Sequence, residues 1–263
     1  MSDAKPTRFF RLGKLMGLLL LGLVTYLVAL VIWVPAGWLW QQASGHVRLP
    51  SQVSVRQVSG TLWEGAAGLE VLGYPVRVTW GLGAPSLTGL SLPLEVRLDS
   101  VRSHLEGHLT LTWPGAGSLD ARGRVDVAEF EDLIRRSGGA MIEGAVDVER
   151  LHLVWWDRSL SEADGLARWG GGRVTWPMAG QVGAADFPPM LAEMTRRPGG
   201  VSLSVRAAEA PGPAADVQVS WDGMMDIRVY KRMVDLAGQP WSDAARPSDV
   251  VFRVRQPLVP GGL

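Results

Sequence analysis

The sequence predicts a mainly β fold: one N-terminal transmembrane helix, followed by an antiparallel, curved or meander-like sheet with one or two short helices. Three observations lead to this prediction. An apolar run of about 20 residues without a charge stands near the N-terminus. Apolar and polar residues then alternate with a period of two along much of the chain. The 32 glycines and 17 prolines are typical of a turn-rich β protein.

The first 14 residues are predicted to form a basic cytoplasmic tail. Lys5, Arg8, Arg11 and Lys14 stand there against a single acidic residue, Asp3. Positive charge next to a membrane helix marks its cytoplasmic side. The remainder of the chain beyond the helix is therefore predicted to lie on the far side of the membrane.

Residues 15–40 are predicted to cross a membrane once as a helix. About 20 apolar residues suffice for a helix to cross ~30 Å of hydrocarbon. Pro35 is expected to end the helix, and Trp33, Trp38 and Trp40 suit the far interface. The alternative is a cleaved signal peptide, whose apolar region covers only roughly 7–15 residues. No clear small-residue cleavage site directly follows the run, which favours an uncleaved anchor.

Residues 41–263 are predicted to form a β-rich domain of roughly eight or more strands beyond the membrane. Strict alternation is typical of antiparallel strands with one buried and one wetted face. The segment PLEVRLDS separates two sets of side chains, Leu94, Val96 and Leu98 from Glu95, Arg97 and Asp99. The same alternation recurs at residues 76–80, 109–113, 201–205, 217–221 and 252–255.

A tryptophan recurs at the predicted strand ends. Trp80, Trp113, Trp176 and Trp221 each follow an aliphatic and a hydroxyl residue and precede a turn. An indole buries a large apolar area while its N–H still reaches a partner near the end of the strand. These four tryptophans are therefore predicted to be structural, each closing and packing a hairpin.

Two short helices are predicted to cover the apolar face of the sheet. The first covers residues 126–139, with Asp126 as N-cap and Glu129 completing a capping box. The second covers residues 186–200, with Leu191 and Met194 on one side. The alanine- and proline-rich segment 206–216 is expected to be a surface loop.

The composition predicts no catalytic, cofactor-binding or metal site. The chain has no cysteine, which excludes thiol catalysis, thiolate zinc sites and disulfides, and its zero net charge predicts no nucleic-acid partner. His104 and His108 would lie roughly 13 Å apart on a strand, too far for one zinc ion. The glycine clusters lack the phosphate-binding patterns, and no serine has the context of a nucleophile elbow. A hydrolase built from carboxylates of distant strands is a third-ranked alternative.

The segment SGTLWEG, shortly after the apolar run, resembles the signature of the type II secretion system protein N family. The match consists of Gly60, Leu62, Trp63 and Gly65, whereas Glu64 stands where the family pattern leads us to expect a small polar residue. The resemblance implies one inner-membrane helix, a β-rich periplasmic domain and partners among the other secretion components, with the secretin as one candidate. Trp63 has two interpretations, a core anchor of the first hairpin or a direct partner contact.

Two functions follow from these observations. The first is a non-catalytic assembly or scaffolding role in type II secretion, in which strand edges or the polar sheet face bind other components. The second is lipid handling, in which the apolar face shelters acyl chains. Helices that cover the apolar face would favour the scaffold. An open groove would favour lipid, with its lining formed by Leu94, Val96, Leu98, Leu109 and Leu111.

Overall fold

The computed structural model describes residues 12–46, 53–71, 73–86, 88–136, 140–157, 159–178 and 181–257. Its α-helices run Leu12–Trp33 (α1), Ala36–Ala43 (α2), Glu131–Arg136 (α3) and Lys231–Leu236 (α4), and a 3-10 helix runs Val127–Phe130.

The first eight strands run Val53–Gly60 (β1), Glu64–Val71 (β2), Tyr74–Leu82 (β3), Ser91–Asp99 (β4), His104–Thr112 (β5), Ala116–Asp126 (β6), Met141–Ile142 (β7) and Ala145–Trp156 (β8). The other strands run Ser159–Trp169 (β9), Gly172–Met178 (β10), Gln181–Phe187 (β11), Met190–Arg197 (β12), Gly200–Ala207 (β13), Ala215–Ser220 (β14), Met224–Tyr230 (β15) and Val250–Pro257 (β16).

The strands form two antiparallel sheets. The large sheet has 13 strands in the order β1-β2-β3-β4-β5-β6-β8-β9-β12-β13-β14-β15-β16, and the small one has the order β11-β10-β7. Strands that follow one another along the chain are neighbours in the large sheet, except where β7, β10 and β11 leave it. The prediction of a mainly β, antiparallel meander is confirmed. The division at residues 1–14, 15–40 and 41–263 stays a prediction.

The two faces of the large sheet differ in polarity. On one face Arg97 lies opposite Glu106, which lies opposite Arg122 on the next strand. Such opposite-charge cross-strand pairs contribute roughly 0.2–1 kcal/mol each. On the other face Leu98 lies opposite Leu105. The alternation seen in the sequence therefore becomes a charged face and an apolar face.

The best-buried part of the core lies where the small sheet packs on the large one. Trp169, Val174, Met190, Ala207 and Ala214 form this buried cluster. Val174 comes from β10, whereas the others come from the large sheet or from the connection between β13 and β14. Ala214 is fully buried, so the segment 206–216 is not the surface loop that its composition predicted.

The second predicted helix is wrong, because its residues form β12. This strand lies between β9 and β13 and pairs with both over most of its length. Met190 and Leu191 are buried at its start. The spacing of Leu191 and Met194, which suggests one face of a helix, places them on opposite faces of a strand. Pairing on both edges outweighs the local helical pattern.

The first predicted helix is present as the 3-10 helix followed by α3. The side chain of Asp126 caps it by accepting a hydrogen bond from the backbone N–H of Ala128 at 3.1 Å. The capping box is not formed, because Glu129 turns to another partner. Its carboxylate accepts hydrogen bonds from the hydroxyls of Ser100 at 2.7 Å and Ser103 at 2.8 Å. Glu129 thus ties this helix to the β4–β5 turn.

The predicted helix over residues 15–40 is interrupted. Helix α1 ends at Trp33 and α2 begins at Ala36, because Pro35 lacks an N–H and disfavours the helical conformation of the residue before it. Among the described residues, no helix combines the length and the apolar character that crossing a membrane requires. Lys5, Arg8 and Arg11 lie outside the described residues, and Lys14 lies in the first turn of α1.

Candidate functional site

The signature turn, residues 60–65, joins β1 to β2. Gly60 has a φ of +89°, a conformation that glycine adopts without strain. The backbone N–H of Thr61 donates to the carbonyl of Glu64 at 2.8 Å. The N–H of Glu64 donates in turn to the hydroxyl of Thr61 at 3.2 Å. Glu64 contributes backbone groups to this turn, so its departure from the family pattern leaves the turn closed.

Two hydrogen bonds hold the signature turn to β3. The indole N–H of Trp80 donates to the carbonyl of Leu62 at 3.1 Å. The backbone N–H of Leu82 donates to the carbonyl of Trp63 at 2.6 Å. Trp63 itself is half-buried. Trp80 therefore packs at the end of the first hairpins, with its N–H engaged by the signature turn.

The indole of Trp80 lies over a glycine of the neighbouring strand. Gly65 is its register partner on β2. A side chain on Gly65 would overlap the indole, and its Cβ would also lie 2.7 Å from the carbonyl oxygen of Ser59. Glycine is therefore the residue that lets the ring cover the strand. The same cross-strand arrangement occurs at two more places, Gly117 with Trp155 and Gly183 with Trp176.

The other predicted strand-end tryptophans differ in their surroundings. Trp221 follows β14, and its indole N–H donates to the carbonyl of Pro198 at 3.3 Å. Trp113 follows β5 and is 76% exposed. The expectation that it packs its hairpin is wrong, because the register of β5 with β6 ends at Thr112 and Ala116 and leaves the ring beyond the last pair.

The signature turn also contacts the segment that follows α1. Pro35 forms an isolated β-bridge with Thr61. Helix α2 lies against β1, where a Cβ at Gly37 would be 3.0 Å from the carbonyl oxygen of Val58. Ala36, between them, is buried. The turn therefore connects the N-terminal helices to the sheet.

A groove of about 970 Å³ lies beside the signature turn. The small residues Ala66, Thr79 and Gly81 line part of it, and charged residues of β4 and β5 border it. Among these, Glu106 receives a hydrogen bond from Arg122 at 2.6 Å and lies 3.8 Å from Arg97. The hydrogen bond and the positive charge of Arg122 hold the pKa of Glu106 below its ordinary value. The groove thus combines apolar residues, among them Trp63 and Trp80, with a border of charged groups.

A second charged cluster lies on β15 and β16. The carboxylate of Asp226 accepts hydrogen bonds from the guanidinium groups of Arg253 and Arg228, each at a shortest distance of 2.8 Å. These two arginines hold the pKa of Asp226 well below its usual range. The cluster ties β16 to its only neighbour among the described strands.

The histidines lie apart from any metal-ligand cluster. His104 and His108 lie on β5, and His108 is 3.8 Å from Glu95. The Nδ1 atom of His152 is 2.6 Å from a carboxylate oxygen of Asp120. Among the described residues, no three histidine, aspartate or glutamate side chains gather as a metal site.

A family model described as type II secretion system (T2SS), protein N, matches residues 51–241. The chain belongs to this family. Comparisons with curated proteins and with solved structures find no match. The suspected resemblance is therefore confirmed, and the protein N match includes the signature turn, the groove and the strands from β1 to β15. Helices α1 and α2 precede the matched range, and β16 follows it.

Membership of the protein N family makes this chain a component of type II secretion. It also implies interaction with other components of that system and suggests a location in the cell envelope. Gly60, Leu62, Trp63 and Gly65 stand together in one turn of this protein N domain, where the backbone of Leu62 and Trp63 holds β3.

Proposed function

We propose that the protein is a non-catalytic inner-membrane component of a type II secretion system and acts in assembly or scaffolding. Its β domain, residues 41–263, would bind other secretion components in the periplasm, with the secretin as one candidate. The observation that carries the proposal is the open outer edge of β16.

Strand β16 is the last strand of the large sheet. It pairs with β15 on one side, and no described strand pairs with its other side. Val250 and Phe252 on this strand are exposed. An open edge presents unpaired N–H and carbonyl groups, to which an added strand can bind. The opposite edge, β1, has α2 close to its backbone at Val58.

The side chains of β16 define the partner strand that would fit. Phe252 and Val254 lie on the apolar face of the sheet, whereas Arg253 and Arg255 lie on the charged face. Cross-strand pairs stabilise a sheet when both side chains are apolar or when the two carry opposite charges. A strand with alternating apolar and acidic residues would therefore bind this edge best.

The proposal also places a single anchor in the inner membrane, with the N-terminus in the cytoplasm. The apolar run within residues 15–40 and the basic tail support this topology. Met16, Leu18 and Tyr26 on α1 have exposed side chains. A helix that exposes large apolar side chains needs an apolar environment, which a bilayer supplies.

The test uses proline substitutions at two consecutive, regularly paired positions of β16, Val254→Pro and Arg255→Pro, in the full chain. The N–H groups of consecutive residues point to opposite edges of a strand, so one substitution removes a bond to β15 and the other removes an outward N–H. We expect one variant to unfold at lower temperature. The other keeps the unfolding temperature but loses crosslinks to named secretion components in cells. Retention of those crosslinks by both variants would refute strand addition at β16.

Lipid handling is the second candidate function, favoured by one observation. Leu98 on β4 and Leu111 on β5 are 37% and 41% exposed on the apolar face, away from the buried cluster. Acyl chains could cover such a surface. Mass spectrometry of the full chain, extracted with its native lipids, tests this. Phospholipid that is retained by the natural chain and lost with Leu98→Asp would favour lipid handling over scaffolding.

A further inference from the structure

Five turns at one end of the large sheet carry a large exposed apolar side chain. One is the β14–β15 turn with Trp221, which is 51% exposed, and the other four lie closer to α1. In an antiparallel meander every second connection returns to the same end, so the β1–β2, β3–β4, β5–β6 and β8–β9 connections share it. Each carries one large exposed apolar residue at or beside the turn, and these four residues, Leu62, Leu90, Trp113 and Trp156, are called the rim here.

The rim begins where α1 ends. Trp33, the last residue of α1, is 78% exposed. Two residues later Pro35 forms its β-bridge with Thr61, the residue next to Leu62. The exit of α1 and the first residue of the rim are therefore fixed close to each other.

The other rim residues follow at increasing distance along the same end of the sheet. Neighbouring strands lie about 4.8 Å apart, so the turn that holds Trp113 is about 19 Å from the β1–β2 turn. By the same spacing, Trp156 is about 29 Å away. The rim is thus a row of apolar tips about 30 Å long, attached at one end to α1.

An apolar notch stands beside Trp113. It has a volume of about 360 Å³ and is lined mainly by Leu90, Leu92, Leu111, Trp113 and Trp155. Leu90 is fixed there, because its carbonyl accepts a hydrogen bond from the backbone N–H of Trp113 at 3.0 Å. Two neighbouring turns therefore present one continuous apolar surface at this end of the sheet.

We propose that the rim contacts the interfacial region of the bilayer on the side where α1 leaves it. Tryptophan prefers this region, because its ring is apolar and its N–H can bond to headgroups or water. The inference rests on the proposed anchor, since that anchor holds α1 in the membrane. The contact between the rim and the bilayer would be the second one after the anchor. With both contacts, the strands point away from the membrane surface and the charged face has a fixed orientation.

The test uses the absence of cysteine from the chain. Single cysteines replace residues of the full-length protein in vesicles of phosphatidylethanolamine and phosphatidylglycerol, and each is labelled with the fluorophore NBD. Trp113→Cys and Leu90→Cys report on the rim. Trp241→Cys is the matched control, because Trp241 is 51% exposed in the β15–β16 connection at the opposite end of the sheet. Gly22→Cys, within α1, reports on the anchor.

We expect headgroup nitroxide lipids to quench the labels at positions 113 and 90 several-fold more strongly than the label at position 241. Equal quenching at positions 113 and 241 overturns the inference. A nitroxide deep in the acyl chains quenches the label at position 22 if the anchor is correct. A quenched position 22 with unquenched rim positions therefore refutes the rim alone. An unquenched position 22 refutes the anchor, and the rim labels then still decide whether the rim contacts lipid.

Discussion

Replacing Gly65 by alanine should destabilise the protein through one defined clash. The added methyl group would overlap the indole of Trp80 and lie 2.7 Å from the backbone carbonyl oxygen of Ser59. The carbonyl is part of the β1–β2 pairing, so it cannot move without disturbing the hairpin. The indole must shift instead, and its 3.1 Å hydrogen bond to the carbonyl of Leu62 is then lost.

The expected cost follows from these two effects. Overpacking costs about 1–3 kcal/mol, and the lost hydrogen bond costs about 1 kcal/mol. Gly65→Ala should therefore lower the free energy of unfolding by about 2–4 kcal/mol. Gly68→Ala is the matched control on the same strand, because a Cβ there would have no atom within 4 Å. It should be neutral or stabilising by about 0.4–1 kcal/mol.

Thermal unfolding of the full chain in detergent, followed by far-UV circular dichroism, measures both variants. A cost of 2–4 kcal/mol corresponds to a fall in Tm of about 4–16 °C, whereas Gly68→Ala should leave Tm unchanged or raise it. In a Trp80→Leu background the cost of Gly65→Ala should decrease, since the indole is gone. Equal Tm values for the two alanine variants would refute the assigned role of the Gly65–Trp80 pair.

Three further predictions concern other contacts. Asp226→Asn should lower Tm at neutral pH. The folded-state pKa of Asp226 lies below its unfolded value of about 3.9. The ionised carboxylate therefore stabilises the fold above that pH, and this stabilisation is lost as the pH falls through the folded-state pKa. The difference in Tm from the natural chain should therefore shrink in acid. Asp243→Asn, at an exposed position, is the control and should leave Tm close to that of the natural chain at neutral pH. Glu129→Gln should cost about 1–3 kcal/mol and speed hydrogen exchange at the amide of Val101, which donates to its carboxylate at 2.9 Å; an unchanged exchange rate would contradict this contact. Ala214→Leu, at a fully buried site, should cost about 1–3 kcal/mol by overpacking, and an unchanged Tm would show that the loop has room.

Part of the candidate site follows from the sequence. The turn at Gly60 and Gly65 can be expected from glycine at a chain reversal after an alternating segment. The attachment of this turn to Pro35 cannot be expected from the sequence. Pro35 and Thr61 are far apart along the chain and meet only when α2 lies against β1. The sequence likewise does not reveal that Gly65 is the cross-strand partner of Trp80, since only the register of β2 and β3 makes the two residues neighbours.

The sequence by itself determined that the fold is mainly β and that the sheet has two different faces, because side-chain alternation is a local property of an extended chain. Residues 94–99 show this, with leucine and valine on one face and charged residues on the other. It also determined the N-cap at Asp126, which depends on bonds within one turn. Only the tertiary structure decided that Met190–Arg197 is a strand and that Trp113 is exposed while Trp169 is buried. Those outcomes depend on which strands become neighbours, and pairing between distant segments outweighs local preference.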